Sequence, residues 1–463
     1  MSDSSANLLD ANPVRTNPFD WLFSPIVRVL FLASVAGGVF FVAEHNVLMS
    51  QVENFVEDIE NQESWAAGGN SLRRVAFLGC AAIGMFSLLL GRGKSFRLTL
   101  PVAMTALYLL WAGASVMWSI DPGTTVRRYT LVLCCAIGCF GFCKLIEVKD
   151  VVFAAVIVSF AFLILGVAAE VLLGAFLPHK GGYRFAGTMH PNGQGANLAM
   201  GCIAAWTMAK IKPNFKLVFY GIFGLMFLFL VLTKCRSATA TVPVSLAVIW
   251  VASQPTKNIF LGFAAGFWML SFIALACLVS GFDPIAEYSE ILLLGRGEET
   301  GSSLTGRLPL WQDLSLYITF RPWQGYGFGA FWTPRHIYDI AVSQEWVISE
   351  AHSSYVDATL QLGIIGALLM SITAISTFFY SAITFRKTLR PEYLFLVGGA
   401  FFCIVRGFTE SGMSGPIFVS SFLFLSIVSH SWHAPSKLID TDGELNNDSP
   451  LQHPQTPLND SNA

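Results

Sequence analysis

Apolar runs of roughly 17–25 residues recur along most of this chain, and that is the length needed to cross a hydrocarbon core. A chain with so many of them is polytopic in a membrane rather than folded around a soluble core. Composition agrees. Hydrophobic residues make up 54% of the 463 and charged residues 13%, against about 25% charged in soluble domains. The 28 Lys and Arg nearly balance 30 Asp and Glu, so overall charge points to no nucleic-acid partner. The expected fold is all-α, with about twelve transmembrane helices. They fall at about 26–44, 75–91, 98–118, 129–146, 151–176, 196–210, 217–233, 240–254, 259–281, 354–383, 393–408 and 416–430.

This pattern divides the chain. Residues 1–25 form an inner tail, 26–281 carry the first nine helices and 282–353 form a large outer loop with short amphipathic helices. Residues 354–430 carry the last three helices, and 431–463, rich in Asn, Asp, Pro and Ser, form a disordered inner tail. The N-terminal residues lack a basic region and a small-residue cleavage site, so the first run reads as a retained span. No repeat relates the two halves. Most of the nine cysteines lie inside apolar runs, as in LVLCCAIGCFGFCKL (131–145), and read as small packing residues rather than a disulfide framework.

Orientation follows from basic residues in short loops. With the N-terminus inside, the clusters GRGKSFR, KIKPNFK and FRKTLR all fall inside, and the acidic stretch EHNVLMSQVENFVEDIENQES falls outside. The outer side still holds many arginines: Arg73, Arg74, Arg127, Arg128, Arg184, Arg236, Arg296, Arg307, Arg321, Arg335 and Arg406. Singly, each can snorkel or pair with an acid such as Asp121 or Glu410. As a set they fit a shared anionic ligand, because guanidinium forks match phosphate oxygens.

Three motifs carry candidate chemistry. In YRFAGTMHPNGQGANLAM (183–200), Arg184 and His190 flank a Gly-rich turn before a span. That turn either aims backbone N–H groups at an anion beside a helix N-terminus or is an ordinary loop capped by Asn192. In LTGRLPLWQDLSLYI, Leu308, Trp311, Leu314 and Ile318 are spaced for an amphipathic helix on the membrane face, with Thr305 as its cap and Arg307 in its first turn. A cation there is at the wrong end for the helix dipole. RPWQGYGFGAFW follows, and its aromatics, Tyr326 among them, fit an interfacial belt or sugar stacking. In EAHSSYVDATLQLGIIG (350–366), His352 stands at the mouth of an apolar helix, after a loop too long for a plain connector.

Together these motifs resemble the superfamily of O-antigen ligases and of exopolysaccharide polymerases of the ExoQ and Wzy kind, over roughly residues 100–430. The ligase pattern of His, then Asn/Ser/Gln, nine residues, Gly, two residues and Gly/Thr/Tyr reads here as His352, Ser353, 354–362, Gly363 and Gly366. WSIDPGTTVRR (118–128), YRFAGTMHPN, LTGRLPLW and GYGFGAF follow the family's order, with the ExoQ-like branch nearest. TKCRSAT departs from it: Cys235 precedes Arg236 where relatives more often have Ser-Arg.

The resemblance implies a multi-pass enzyme of the bacterial inner membrane whose active site faces the periplasm. It would polymerise undecaprenyl-pyrophosphate-linked oligosaccharide units, with no cofactor and no metal. A ligase would transfer the same donor to lipid A core instead. His352, Arg307 and Arg184 are the implied catalytic residues. Arg127, Arg128, His190, Asn192, Arg236, Trp311, Tyr326, Arg406 and Glu410 are the implied substrate-binding residues. A chain-length regulator and a flippase are the implied partners, besides membrane lipid. Two rivals remain: a transporter of lipid-linked oligosaccharide, which would also need outer cations, and a scaffold of an export complex, which would need none of this constellation.

Overall fold

A computed structural model describes residues 24–45, 71–91, 95–180, 182–255, 257–258, 303–344, 348–413 and 415–432. The expected span at 259–281, the first part of the expected outer loop and nearly all of both expected tails fall outside these residues. The described residues are helices and connecting loops, with no strand among them. In chain order the helices are α1 (Pro25–Glu44), α2 (Ser71–Leu90), α3 (Leu100–Ala114), α4 (Pro122–Leu145), α5 (Val148–Leu172) and α6 (Pro191–Ile211). Then come α7 (Lys216–Leu232), α8 (Arg236–Ser253), α9 (Ser303–Phe320), α10 (Pro334–Gln344), α11 (Ser354–Thr388), α12 (Glu392–Arg406) and α13 (Phe418–Trp432).

Seven stretches among the described residues are long and apolar enough to cross a membrane: α1, α2, Leu100–Met117, α4, α5, Pro213–Leu232 and α11. Large apolar side chains point outward from them, with Leu89, Leu172 and Leu217 each more than three-quarters exposed (82%, 85% and 78%). Apolar surface on that scale suits lipid rather than water. The chain is a multi-pass helical membrane protein.

Small residues let the helices approach. Helix α6 is buried along most of its length, with Ala196, Ala199, Gly201, Ala204 and Ala205 among its buried positions, and it packs against α5, α7, α8 and α12. Helix α2 crosses α4 so closely that a Cβ on Gly141 would lie 1.9 Å from the Gly84 carbonyl oxygen. Close backbone approach of this kind drives helix association where lipid removes the hydrophobic effect. The described cysteines are free and buried. Cys135 meets Ser421 at 3.2 Å and Cys143 meets the Leu425 carbonyl at 3.4 Å, so α4 packs on α13 through them.

The bundle has two distinct ends. At one, Arg28 pairs with Asp150 at 2.9 Å, Lys144 reaches the Leu88 carbonyl at 2.7 Å, and Arg386 reaches the Gln254 carbonyl at 3.5 Å. At the other, the starts of α4, α6 and α11 gather with the ends of α5 and α12.

Two expectations need correction. The apolar pattern of 354–383 reads as one unbroken helix, but α11 breaks at Gly363, whose φ of 69° and ψ of −175° are not helical. The loop before α10 takes over the backbone groups released there. Tyr326 and Gly327 N–H donate to the Leu360 and Gln361 carbonyls at 2.9 and 2.8 Å, and Ile364 N–H donates to the Pro322 carbonyl at 2.8 Å. Helix α9 is also longer than expected, and its apolar side packs against protein rather than lying on the membrane face. It begins at Ser303, so Thr305 lies inside it. It buries Leu310 and Leu314, while Leu308 is 50% exposed. Its apolar side meets Tyr326, Phe331, Ile337 and Leu360, because the packing partner is the loop and the head of α11.

Gly363 is the residue this interlock cannot lose. A Cβ there would lie 2.1 Å from the Trp323 carbonyl oxygen, at a φ that side chains resist. Gly363→Ala is expected to destabilise by more than about 2 kcal/mol, seen as a lower thermal midpoint in detergent. Gly221→Ala, with nothing within 4 Å of the added Cβ, should leave the midpoint unchanged. Equal midpoints for the two variants would contradict this account.

Candidate functional site

The loop before α6 is folded around one carboxylate. Glu170, buried near the end of α5, accepts from Ala186 N–H at 2.9 Å, from Gly187 N–H at 2.7 Å and from the Tyr183 hydroxyl. Phe185 N–H donates to the Leu232 carbonyl at 2.9 Å. Arg184 is thereby aimed inward, and it donates to the Thr233 carbonyl at 3.0 Å and the Asn192 side-chain oxygen at 2.8 Å. His190, not Asn192, caps α6, its Nδ1 accepting from Asn192 N–H at 3.2 Å.

The turn after α12 supplies the hub. Glu410 is 4% exposed. Its Oε1 accepts from Asn192 Nδ2 at 3.2 Å and from Arg307 Nη2 at 3.3 Å. Arg307 Nη1 also donates to the Thr409 carbonyl at 2.5 Å. One carboxylate thus joins Arg184, through Asn192, to Arg307. Residues 184, 307 and 410 come from three distant parts of the chain, and no local pattern could have paired them.

The head of α11 docks on the same turn. Ser354 N–H donates to the Gly407 carbonyl at 2.8 Å, and its hydroxyl donates to the Glu410 carbonyl at 2.9 Å. Ser353 caps the helix. His352, just before it, has a φ of +48°, uncommon for a residue other than glycine. The neighbours hold it so: Trp311 Nε1 donates to the Ala351 carbonyl at 2.8 Å, and Asp357 accepts from Ala351 N–H at 3.3 Å, from Trp332 Nε1 at 2.9 Å and from the Ser411 hydroxyl. Strained backbone held by its surroundings is common at functional sites.

His352 Nδ1 lies 2.9 Å from Glu350 Oε1. Burial alone would lower the imidazole's pKa, but the hydrogen bond and charge of Glu350, with Glu410 behind it, outweigh burial and the Arg307 charge, so it stands above 6.5. Burial would raise Glu350; the His352 bond and charge, with Arg406 and His190, pull it below its ordinary value. His190 moves the other way: burial first, then the Arg184 charge, lower it.

Glu350, His352 and Glu410 place ligand atoms within 4.8 Å of one another, a spacing that could hold a metal ion. Their chemistry argues against one. Glu410 is taken by Arg307 and Asn192, Glu350 by His352, and the guanidinium beside them repels a cation.

The other expected site residues fall in two places. Arg406 is 8% exposed, with Nη1 3.5 Å from the Ser411 carbonyl and no hydrogen-bond partner for Nε among the described residues. Arg236 starts α8, three residues beyond Thr233. Arg127 and Arg128 stand apart from Arg184 and Arg307, bonded to Thr124 Oγ1 and the Gly329 carbonyl at 2.7 Å each and lining a separate cavity. Trp311 and Tyr326 sit in the packing below His352; Tyr326 is 7% exposed and donates to the Tyr317 carbonyl at 2.9 Å. Glu350, Asp357 and Glu170 were not anticipated. Glu350 could have been, standing two residues before His352.

Comparison with known proteins bears on this arrangement. A family model described as O-Antigen ligase matches residues 221–371, the stretch that carries Arg236, Arg307, His352 and Gly363. The exopolysaccharide production protein ExoQ of Rhizobium meliloti (strain 1021) is 29% identical over 128 residues. That match covers 26% of this chain and 29% of the relative, so the chain spans less than a third of the relative's length. Both similarities point the same way as the motifs: over these stretches the chain is similar to O-antigen ligases and to ExoQ.

Proposed function

We propose that the protein is a glycosyltransferase that polymerises lipid-pyrophosphate-linked oligosaccharide units into an exopolysaccharide. The observation that carries this reading is the meeting of Arg184, Arg307 and His352 around the single carboxylate of Glu410. Its setting is about twelve spans in a bacterial inner membrane, with the site and residues 282–353 on the periplasmic side.

In the proposed reaction the acceptor hydroxyl oxygen attacks the anomeric carbon of the donor. The carbon–oxygen bond to pyrophosphate breaks and its electron pair stays on the pyrophosphate. The proton passes to His352. Glu350 holds Nδ1–H, which leaves Nε2 as the basic nitrogen. Arg184 and Arg307 stabilise charge as it develops on the leaving pyrophosphate, a task guanidinium groups perform without a metal. The products are a lengthened glycan and undecaprenyl pyrophosphate. Arg236 and Arg406 lie where they can support the same anion. Trp311 and Tyr326 act as positioning residues, because they hold the turn that carries His352. A chain-length regulator and a flippase are the partners that the family resemblance suggests for it.

The relative's name, an exopolysaccharide production protein, supports polymerisation. The description of the matching family model, O-Antigen ligase, supports a second reading in which the same donor is passed to lipid A core. The two differ only in acceptor.

Cells lacking the protein, complemented with wild type or variants, separate them by their lipid-linked glycans. Single repeat units that accumulate and are cleared only by wild type are the expected result. Long polymer still on its carrier would favour the ligase, and an unchanged profile would refute both. In isolated membranes, His352→Ala should lower the transfer rate at least about 100-fold, and Arg307→Ala by about 100- to 1,000-fold.

The Glu350 contact adds a pH test. A base works only when neutral, so the rate should rise with pH through the elevated pKa of His352. Removing the carboxylate charge lowers that pKa. Glu350→Gln should therefore move the acidic limb of the rate–pH profile to lower pH. A limb that stays in place would show that His352 is not the titrating base.

A further inference from the structure

The cavity that holds Arg127 and Arg128 is not used by the reaction as described. Its volume is about 320 Å³, and Arg73 and Arg74 from α2 line it too. Glu350 and Asp357 are the acids on its wall among the described residues. Four guanidinium groups share its wall with two carboxylates, and Glu44 stands near Arg73 and Asp121 near Arg127 and Arg128. Both carboxylates are engaged elsewhere, Asp357 with Trp332 and Ser411 and Glu350 with His352. Like charges gathered around one cavity repel one another, and an oxyanion between them relieves that repulsion. The volume suits a sugar-sized ligand, Gln361 offers a polar side chain to its hydroxyls, and the Trp332 ring offers a flat wall.

We infer that this cavity is a second anion site that binds an oxyanion carried by the acceptor glycan. Calling its occupant the acceptor rests on the glycosyl-transfer reading above; the anion site itself does not. Glu350 links the two places. It lines the cavity and also holds the His352 imidazole. A glycan with its acid on the four arginines therefore presents its hydroxyls beside the group that takes the proton. Donor and acceptor anions are then held on different arginine sets. The oxyanion has two sources of the same chemistry, the carboxylate of an acidic sugar and the phosphate of the acceptor's own lipid carrier, and guanidinium forks suit both.

Equilibrium binding to the full-length protein in nanodiscs tests this without turnover, so it stands or falls separately from the proposed reaction. The probes are a carrier-free oligosaccharide with one carboxylate, its methyl ester, and inorganic pyrophosphate. Arg74 and Arg127 are both exposed, so the double variant Arg74→Gln, Arg127→Gln should fold. Arg127→Lys, which keeps charge but loses the fork, serves as a second variant. The double variant should weaken the acidic oligosaccharide about tenfold, with Arg127→Lys intermediate and Arg307→Ala without effect. Loss of binding on esterification identifies a sugar carboxylate. Equal binding of acid and ester, with pyrophosphate weakened only by the cavity variants, identifies the carrier phosphate. Unchanged binding of every probe in the double variant would overturn the inference. So would loss of pyrophosphate binding in both the double variant and Arg307→Ala, because the arginines would then form one donor site.

Discussion

Helix α11 cannot run straight through Gly363, and the backbone groups freed by that break are held by the loop at 322–329. Much of the site depends on this exchange. Irregular backbone within a membrane protein survives only where other protein groups satisfy its N–H and C=O groups. Here Tyr326, Gly327 and Ile364 N–H do so. The same loop offers the Gly329 carbonyl to Arg128 and builds the aromatic floor on which α9 lies. The short segment of α11 before the break then carries Asp357, the Ser353 cap and His352 as one piece. Arg307 is placed by α9, which rests on that piece.

A second constraint is electrostatic. Glu410 is nearly buried, and a buried carboxylate is costly unless charged or hydrogen-bonding groups surround it. Arg307 and Asn192 meet that need directly, and Arg184 meets it through Asn192. The carboxylate therefore brings two guanidinium groups together. With Glu350 beside it, the cluster sets two carboxylates against Arg184, Arg307 and Arg406. The remaining positive charge is what an anionic leaving group would meet. On the far side of Glu350, four further arginines line the cavity.

Much of this was legible in the sequence, for stated reasons. Apolar runs announced helices, and the helical class follows from length and hydropathy alone. His352, Arg307 and Arg184 stood out because each lies at a break in an apolar pattern, where a charge needs a purpose. What eluded the sequence depends on tertiary contact. The Glu410 to Asn192 bond spans 218 residues and the Glu410 to Arg307 bond 103, so a named acid could not be known as a hub. Gly363 stood in the ligase pattern, but the break at it hid inside a continuous apolar run, because periodicity does not register a single residue that changes direction. Leu308, Trp311, Leu314 and Ile318 were read as a stripe on the membrane face, but Leu314 is buried and Trp311 and Ile318 pack against protein. Tyr326 read as part of an interfacial belt or as a sugar-stacking ring, and its burial under Tyr317 and Phe331 could be seen only in three dimensions.

The central claim is that one polypeptide joins lipid-linked glycan units at the His352 and arginine cluster. Its most direct test is purified protein in proteoliposomes, given only a lipid-pyrophosphate-linked oligosaccharide and a chelator, with products read by mass spectrometry. The account predicts chains of two and more units, with one lipid pyrophosphate released for each new linkage. Folded protein that makes no such linkage, or a His352→Ala variant that makes it as fast as wild type, would contradict it.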